Sequence, residues 1–335
     1  MKRPTLADVA AMAGVSPKTV SNVLRDRPYA ATATRERVWE AVAAVGYRVN
    51  RAGRALAGGG SGRIAVVVPN LHQPYYAENA ERLILALAAQ NLTSTLRIAS
   101  NADAEREAIL GATTADADGM IVFAPHINAE LLDGKAPNRP VVQFGSTPTG
   151  LLDTVVMGEY EGFKAVTRHL LDTGRRRLAL VWNATRNGRP AGRRFEGFLA
   201  AHEEFGLEAD PALAVAGSDW DRRAPGFEAM TGLLASGGDF DAVMGINDAV
   251  AVGALRALRT HGVRVPDDVA LTGFDDTDEA EFTVPPLTTV SPEHEAMVGA
   301  AVRMLTERLG GSAGPPREYH AAAHVIPRAS SGVPR

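Results

Sequence analysis

From Ile64 onward, short apolar runs rich in β-branched residues alternate with helical stretches, and the alternation occurs twice. The first series is "IAVVVP" from Ile64, "STLRIAS" from Ser94, "GMIVFAP" from Gly119, "PVVQFGS" from Pro140 and "TVVMG" from Thr154. Helical spacing fits residues 77–90 and 103–115 between them. The second series is "RLALVWN" from Arg177, "ALAVAGS" from Ala212, "DAVMGIND" from Asp241 and "DVALTGFDD" from Asp268. Continuous apolar strands set between helices predict parallel sheets covered on both faces. Two series predict two similar α/β lobes. Ligands of such sheets sit beyond the carboxyl ends of the strands, so residues there are the first functional candidates.

The segment before this body has a different texture. "TLADVAAMAGVSPKTVSNVL" begins with a capping-box pattern, Thr5 followed three residues later by Asp8. Leu6, Val9, Ala10 and Ala13 recur at helical spacing, and Gly14 can take the left-handed conformation that stops a helix. Ser16 can cap a second helix with Pro17 in its first turn. Val20, Val23 and Leu24 give that helix one apolar face, leaving Lys18, Thr19, Ser21 and Asn22 on the others. Helix, tight turn and helix with a polar face is the sequence form of a helix-turn-helix, whose second helix enters the DNA major groove. A third helix fits residues 34–45, with Thr32 as its expected N-cap. Residues 51–57 form a short basic helix candidate containing Gly53, followed by the flexible linker "GGGSG".

Charge follows the same division. Residues 1–62 carry ten Lys/Arg against four Asp/Glu, a net of +6, while the remaining 25 basic and 35 acidic residues give −10, summing to the −4 of the whole chain. A basic head on an acidic body predicts a polyanionic partner for the head alone. The 335 residues contain no cysteine, which excludes disulfides and thiolate sites. No apolar run reaches ~18 residues and no signal-peptide core is present, so a cytoplasmic protein without a membrane span is expected. An enzyme is the main rival class. However, there is no Walker loop, no G-x-S-x-G and no G-x-G-x-x-G opening a helix. "AHEEFG" at Ala201 is not H-E-x-x-H, and the acidic run at 275–279 reads as a solvated loop rather than a metal site. Neither a cofactor nor a metal is expected.

Several of these stretches, taken in order, resemble the lactose-repressor/galactose-repressor family of bacterial transcription regulators. They are "TLADVAAMAGVSPKTVSNVL", "TRERVWEAVAAVGYRVN", "RALAG", "IAVVVPNLHQPYYAE", "HLLDTGRRRLALV", "RRFEGF", "INDAVAVGAL", "VPDDVALTGFDD" and "PPLTTV". The resemblance implies an N-terminal three-helix helix-turn-helix domain (1–48), a hinge helix and linker (49–62) and a two-lobed, periplasmic-binding-protein-like α/β effector domain with parallel sheets (63–335). It implies lobes of about 63–160 with 291–321, and 161–290 with 322–335, and three crossings between them. It also implies a homodimer on a pseudo-palindromic operator, controlled by a small molecule between the lobes. A rival reading from another class is a sugar-binding transport or sugar-processing protein.

By position in the family motif, Pro17, Lys18 and Asn22 face base edges, with Tyr29 near the groove. Lys can bond guanine and Asn can pair with adenine. The family usually has Arg at Asn22, so an altered half-site is expected. Thr5, Ser16, Thr19, Ser21, Thr34 and Asn50 match phosphate-bonding positions, which fix register rather than sequence. Plain helix capping is the alternative for Thr5 and Ser16. Leu56 matches a leucine that wedges into the minor groove at the operator centre.

Four positions match the family's ligand pocket: Arg194, Trp220, Asn247 and Asp275. Gln73, Tyr75, Tyr76, His126 and Ser146 would be added from the first lobe. The "GE" at Gly158 and Glu159 departs from the family's usual "DN", leaving Glu159 as a substitute contact. The alternatives are a structural Arg194–Asp275 ion pair, a core role for Trp220, and a division in which one of Tyr75 and Tyr76 packs and the other lines the pocket. Asp, Asn and Arg with an aromatic suit a sugar, and a nucleoside or purine could use the same aromatics.

Overall fold

Valine and isoleucine at successive positions bury both faces of the central strands, and the computed structural model shows how. It describes residues 4–24, 30–46, 60–111, 114, 116–145, 147–183 and 190–332. The expected contributions of Tyr29, Asn50, Leu56 and Ser146, and most of the expected hinge, lie outside the described residues. The chain divides into two units, Met1–Ser61 and Gly62–Arg335.

In the first unit, α1 (Leu6–Ala13), α2 (Pro17–Leu24) and α3 (Thr32–Val45) enclose a small core of Val9, Ala10, Ala13, Val20, Val23, Val38 and Ala41. The capping box is formed: Thr5 N donates to Asp8 Oδ2 at 2.7 Å, and Asp8 N donates to Thr5 Oγ1. Gly14 stops α1 at φ 66°. Ser16 Oγ then accepts from Thr19 N at 3.0 Å, capping α2. Each cap contributes about 1 kcal/mol. The third helix differs from expectation. Ala31 occupies its N-cap with no side-chain bond, and Thr32 lies inside the helix.

In the second unit, the first sheet contains β1 (Arg63–Val68), β2 (Thr93–Ile98), β3 (Gly119–Val122), β4 (Val141–Phe144), β5 (Asp153–Val156) and β11 (Glu318–His320). Its order is β11-β5-β4-β3-β1-β2, and every pairing is parallel. Ile64, Val66 and Val68 point into one core and Ala65 and Val67 into another, the period-two alternation of a sheet covered on both sides. The second sheet is parallel too, in the order β7-β6-β8-β9, from β6 (Leu178–Asn183), β7 (Ala214–Gly217), β8 (Ala242–Gly245) and β9 (Ala270–Thr272).

Helices α4 (Pro74–Ala89), α5 (Ala102–Leu110) and α11 (His294–Leu309) belong with the first sheet. Helices α6 (Glu159–Asp172), α7 (Arg193–Glu204), α8 (Arg223–Ala235), α9 (Asp248–Thr260) and the short α10 (Asp278–Phe282) belong with the second. The chain passes between the sheets three times: after β5, after β10 (Thr289–Ser291), and between β11 and β12 (His324–Ile326). At the last two passages β10 and β12 pair antiparallel, a small third sheet that the sequence pattern did not announce. Close helix crossings rest on glycine: a Cβ on Gly197 would run into the Tyr160 carbonyl oxygen, and one on Gly253 into that of Arg223.

Candidate functional site

The first unit presents one polar helix face. Val20 and Val23 hold α2 to the core. Pro17 and Lys18 are then exposed, and Thr19, Ser21 and Asn22 are half-buried. Lys18 and Asn22, four residues apart, share a stripe, as do Pro17 and Ser21. Thr5 and Ser16 are both used as caps, but they stay exposed, so capping leaves their oxygens reachable.

The second unit has its polar cluster where both sheets reverse their order. The first sheet does so between β1 and β3, the second between β6 and β8. Loops leaving these strands supply the side chains, as the switch-point rule requires. Gln73 caps α4 with Oε1, which accepts from Tyr75 N at 2.8 Å. Its Nε2 crosses to the other lobe and donates to Asp275 Oδ2 at 3.3 Å. Arg194, near the start of α7, donates from Nε to Glu159 Oε1 at 2.9 Å and from Nη1 to the Ile246 carbonyl. Its guanidinium lies 4.3 Å from the Phe274 ring centre. Asn247 caps α9 through Val250 N and donates from Nδ2 to the Trp220 carbonyl at 2.9 Å. These groups, with Tyr75, Tyr76 and Trp220, line an inner cavity of about 40 Å³.

Two buried side-chain oxygens on that cavity have no hydrogen-bond partner, Asp275 Oδ1 and the Tyr75 hydroxyl. Arg194 Nη2 is 3.8 Å from Asp275 Oδ1, an ion-pair distance without a hydrogen bond. Burial pushes the Asp275 carboxyl up to about 7 despite the pull of Arg194 and the Gln73 bond. Burial opposes the Arg194 charge, but Glu159 and Asp275 hold it protonated. Burial also drives the Tyr75 and Tyr76 hydroxyls well above their usual range, so both stay neutral. Asp275 adopts φ 114°, strained for a residue with a Cβ, as side chains at functional sites often are. His294 Nε2 donates to the Asp275 carbonyl at 2.6 Å and helps to hold that conformation.

An outer chamber of about 600 Å³ adjoins the inner cavity and shares Pro125, Trp220 and Asp221 with it. Asn70 Nδ2 bridges the lobes here, donating to Asp221 Oδ2 at 2.6 Å. Burial pushes the Asp221 carboxyl up to about 6. His126 belongs to this chamber rather than to the inner cavity. Its Nδ1 lies 2.7 Å from Oε1 of the fully buried Glu105, whose hydrogen bond raises the imidazole's pKa.

The structure thus brings Gln73, Tyr75, Tyr76, Glu159, Arg194, Trp220, Asn247 and Asp275 together, with His126 one chamber out. Tyr75 and Tyr76 do not divide their roles: both are core residues and both line the cavity. Trp220 likewise packs on the core while walling both chambers. Asn70, His72, Glu105, Asp219, Asp221 and His294 were not singled out from sequence. For Asn70, His72, Asp219 and Asp221 the usable signal was their place just past strand ends, in "PNLHQ" and "GSDWD"; Glu105 and His294, on helices, had none. Among the described residues no group of three or more His, Cys, Asp or Glu side chains could hold a metal ion.

Comparison with known proteins identifies this architecture. The family described as bacterial regulatory proteins, lacI family, matches residues 5–50, and the periplasmic binding protein-like domain matches residues 167–331. The HTH-type transcriptional regulator CelR of Thermobifida fusca is 33% identical over 98% of this chain and 98% of its own. The chain belongs to the LacI family. Its helix-turn-helix unit and its two-sheet unit are those of a LacI-type DNA-binding transcriptional regulator. Such relatives are regulators rather than enzymes. A solved CelR–cellobiose complex, 30% identical, covers 98% of this chain and 100% of its own with a TM-score of 0.69. The lac repressor dimer bound to operator and the anti-inducer ONPF shares the fold, with a TM-score of 0.81 at 23% identity over 99% of this chain and 100% of its own. Among the described residues no helix of this LacI-family chain is long and apolar enough to cross a membrane.

Proposed function

We propose that this LacI-family regulator represses transcription from a pseudo-palindromic operator and answers to a sugar bound between its two lobes. The observation that carries the effector reading is the inner cluster. Arg194, Glu159, Gln73 and Asp275 converge from both lobes on one cavity, and Asp275 Oδ1 and the Tyr75 hydroxyl are left unpaired there. A carboxylate oxygen and a phenol suit hydroxyl groups, and Trp220 beside them offers a flat face for sugar C–H bonds. The CelR–cellobiose complex supports the same class.

Residues 1–48 form the DNA-binding domain, 49–62 the hinge and 63–335 the effector and dimerisation domain, with lobes at about 63–160 with 291–321 and 161–290 with 322–335. Lys18, Asn22 and Pro17 read bases, with Tyr29 near the groove and Leu56 wedging the operator centre. Thr5, Ser16, Thr19, Ser21, Thr34 and Asn50 hold phosphates. Ser146 completes the ligand contacts of the first lobe. The regulator works as a cytoplasmic homodimer, as the operator-bound lac repressor is a dimer. Exposed apolar side chains are available for that contact: Leu85 on α4, Ile98 on the edge strand β2, Phe282 at the end of α10 and Val284 just after it.

The test is selection of genomic fragments bound by the full chain, followed by titration of the selected operator with sugars, nucleosides and purines. A palindromic site released or tightened by a sugar is the expected result. Response to a purine or nucleoside alone would replace the sugar reading, and no enriched sequence would remove the operator reading.

A further inference from the structure

The inner cavity is too small for a sugar ring. Its 40 Å³ is room for about two or three water-sized groups. The Arg194–Glu159 and Gln73–Asp275 bonds join elements that enclose it, so widening it calls for a rearrangement of those elements. Without that rearrangement, only a hydroxyl-bearing end of a ligand can reach Asp275 Oδ1 and the Tyr75 hydroxyl. The outer chamber is different. At about 600 Å³ it falls within the roughly 300–1,000 Å³ range of small-molecule sites. It adjoins the inner cavity, with Pro125, Trp220 and Asp221 lining both.

The lining chemistry of the outer chamber is specific. Asp219 and Asp221 offer carboxylate oxygens to hydroxyl donors, while Asn70 and two imidazoles, His72 and His126, offer nitrogen groups. Buried Glu105 holds His126 by Nδ1, leaving Nε2 free to serve a ligand. Burial lowers the pKa of His72, followed by the repulsion of Arg222, so this imidazole is neutral near pH 7. Trp220 supplies an apolar wall. Among the described residues neither Lys nor Arg lines the outer chamber, and Arg194 is the one Lys or Arg lining the inner cavity, beside Glu159, Asp221 and Asp275. Asp219 pairs with Arg222 at 3.4 Å and Glu159 with Arg194, while Asp221 and Asp275 accept from the amides of Asn70 and Gln73. A phosphorylated or otherwise anionic ligand would therefore enter against half-buried Asp221 and buried Asp275, acidic groups that no cation among the described residues hydrogen-bonds.

We propose that the effector is a neutral oligosaccharide of at least two rings. Its inner end reaches the Arg194–Asp275 cluster, and a further ring lies in the outer chamber between Trp220, His72, His126 and Asp219. This inference rests on the sugar reading and narrows it.

The experiment is calorimetric titration of the full-length chain with glucose, galactose, mannose and xylose. Each is paired with its disaccharides of both anomeric linkages and with a disaccharide 6-phosphate where one exists. At least one disaccharide should bind ten-fold or more tightly than its own monosaccharide, and phosphorylation should weaken it. His126→Gln and Asp219→Asn should each lower the ratio of disaccharide to monosaccharide affinity several-fold. Operator binding by the same variants confirms that they are folded. A monosaccharide that binds as tightly as its disaccharides, or a phosphorylated sugar that binds best, overturns the oligosaccharide assignment while leaving the sugar reading intact. Failure of every sugar to bind overturns both.

Discussion

Arg194 Nη2 stops 3.8 Å from Asp275 Oδ1, close enough for attraction and too far for a hydrogen bond. Arg194 gives its other bonds to Glu159 and Ile246, and Asp275 takes one from Gln73, so the facing oxygen is left for something else. Removing the Asp275 carboxylate takes away an acceptor at the lobe boundary and leaves the sequence and core of the helix-turn-helix unit as they are. Asp275→Ala should keep operator affinity within a few-fold yet lose response to the effector, at a cost of a few kcal/mol in ligand binding. Operator titration with and without the responsive sugar reads both. Wild-type response with unchanged ligand affinity would show that this carboxylate is no ligand contact.

The same carboxyl predicts a pH dependence. Its folded pKa of about 7 stands above the 3.8 of an ordinary Asp, so the folded chain holds this proton more tightly than the unfolded one. The contribution to stability is therefore greatest below about pH 4 and falls as pH rises toward 7. Asp275→Asn keeps the shape without the charge. It should raise the melting temperature more at pH 8 than at pH 5, where the wild-type carboxyl is mostly neutral. Sugar affinity in the wild type should rise through the same window, because the ionised oxygen is the better acceptor. A melting difference that stays constant from pH 5 to 8 would contradict the buried, proton-retaining state.

Most of the body was legible because its signals are local. "IAVVVP" and "DAVMGI" are continuous apolar runs, and the strands lie where they do. The caps at Thr5, Gly14 and Ser16 are short-range chemistry and formed as read. Three-residue β10 and β12 carry too little pattern to announce themselves, and they pair across 35 residues or so. Contacts across the fold are equally silent. Glu105 looks like one more acidic residue on an amphipathic helix until the loop after β3 brings His126 onto it. Asn70 and Asp221 are 151 positions apart and meet only when the lobes do. The positive φ of Asp275, where no glycine marks the place, goes with the His294 bond to its carbonyl, a contact between residues 19 positions apart.

Backbone contact between helices gives a stability prediction. Gly253 on α9 lies against the Arg223 carbonyl of α8, and Gly226 on α8 against that of Val250, so the two helices meet without side chains between them. Backbone cannot yield as a side-chain tip can. Gly253→Ala should destabilise the second unit by about 1–3 kcal/mol through overpacking, even though alanine is the better helix former. Denaturant midpoints for wild type and variant measure it, and an unchanged or raised midpoint would mean that α8 and α9 are less tightly apposed.

Self-association can be tested on the exposed apolar side chains. Leu85 is 63% exposed, Ile98 61% and Phe282 73%, and Ile98 stands on the unpaired edge of the first sheet. If a second copy covers them, Leu85→Glu or Phe282→Glu puts a charge into that contact. Sedimentation at micromolar concentration should show a dimer for wild type and a shift toward monomer for the variants. Circular dichroism should stay native and operator affinity should fall. A wild-type monomer on a bound palindromic site would refute the dimer.

Base readout makes the sharpest demand on the first unit. Lys18 and Asn22 share one stripe of α2, and neither is held by the core, whose contacts come from Val20 and Val23. Truncating a base contact costs about 1–3 kcal/mol on the cognate site and relaxes preference at one position. Truncating a phosphate contact weakens all sequences more evenly. Lys18→Ala and Asn22→Ala should therefore broaden the half-site recovered by selection from random duplexes, and Ser21→Ala should lower affinity without changing it. Wild-type affinity should fall steeply as salt rises, because phosphate contacts release counterions. Asn22→Arg probes the same position from the other side: guanidinium pairs bidentately with guanine where an amide pairs with adenine, so the selected base should change. An identical half-site from wild type, Asn22→Ala and Asn22→Arg would remove Asn22 from base recognition.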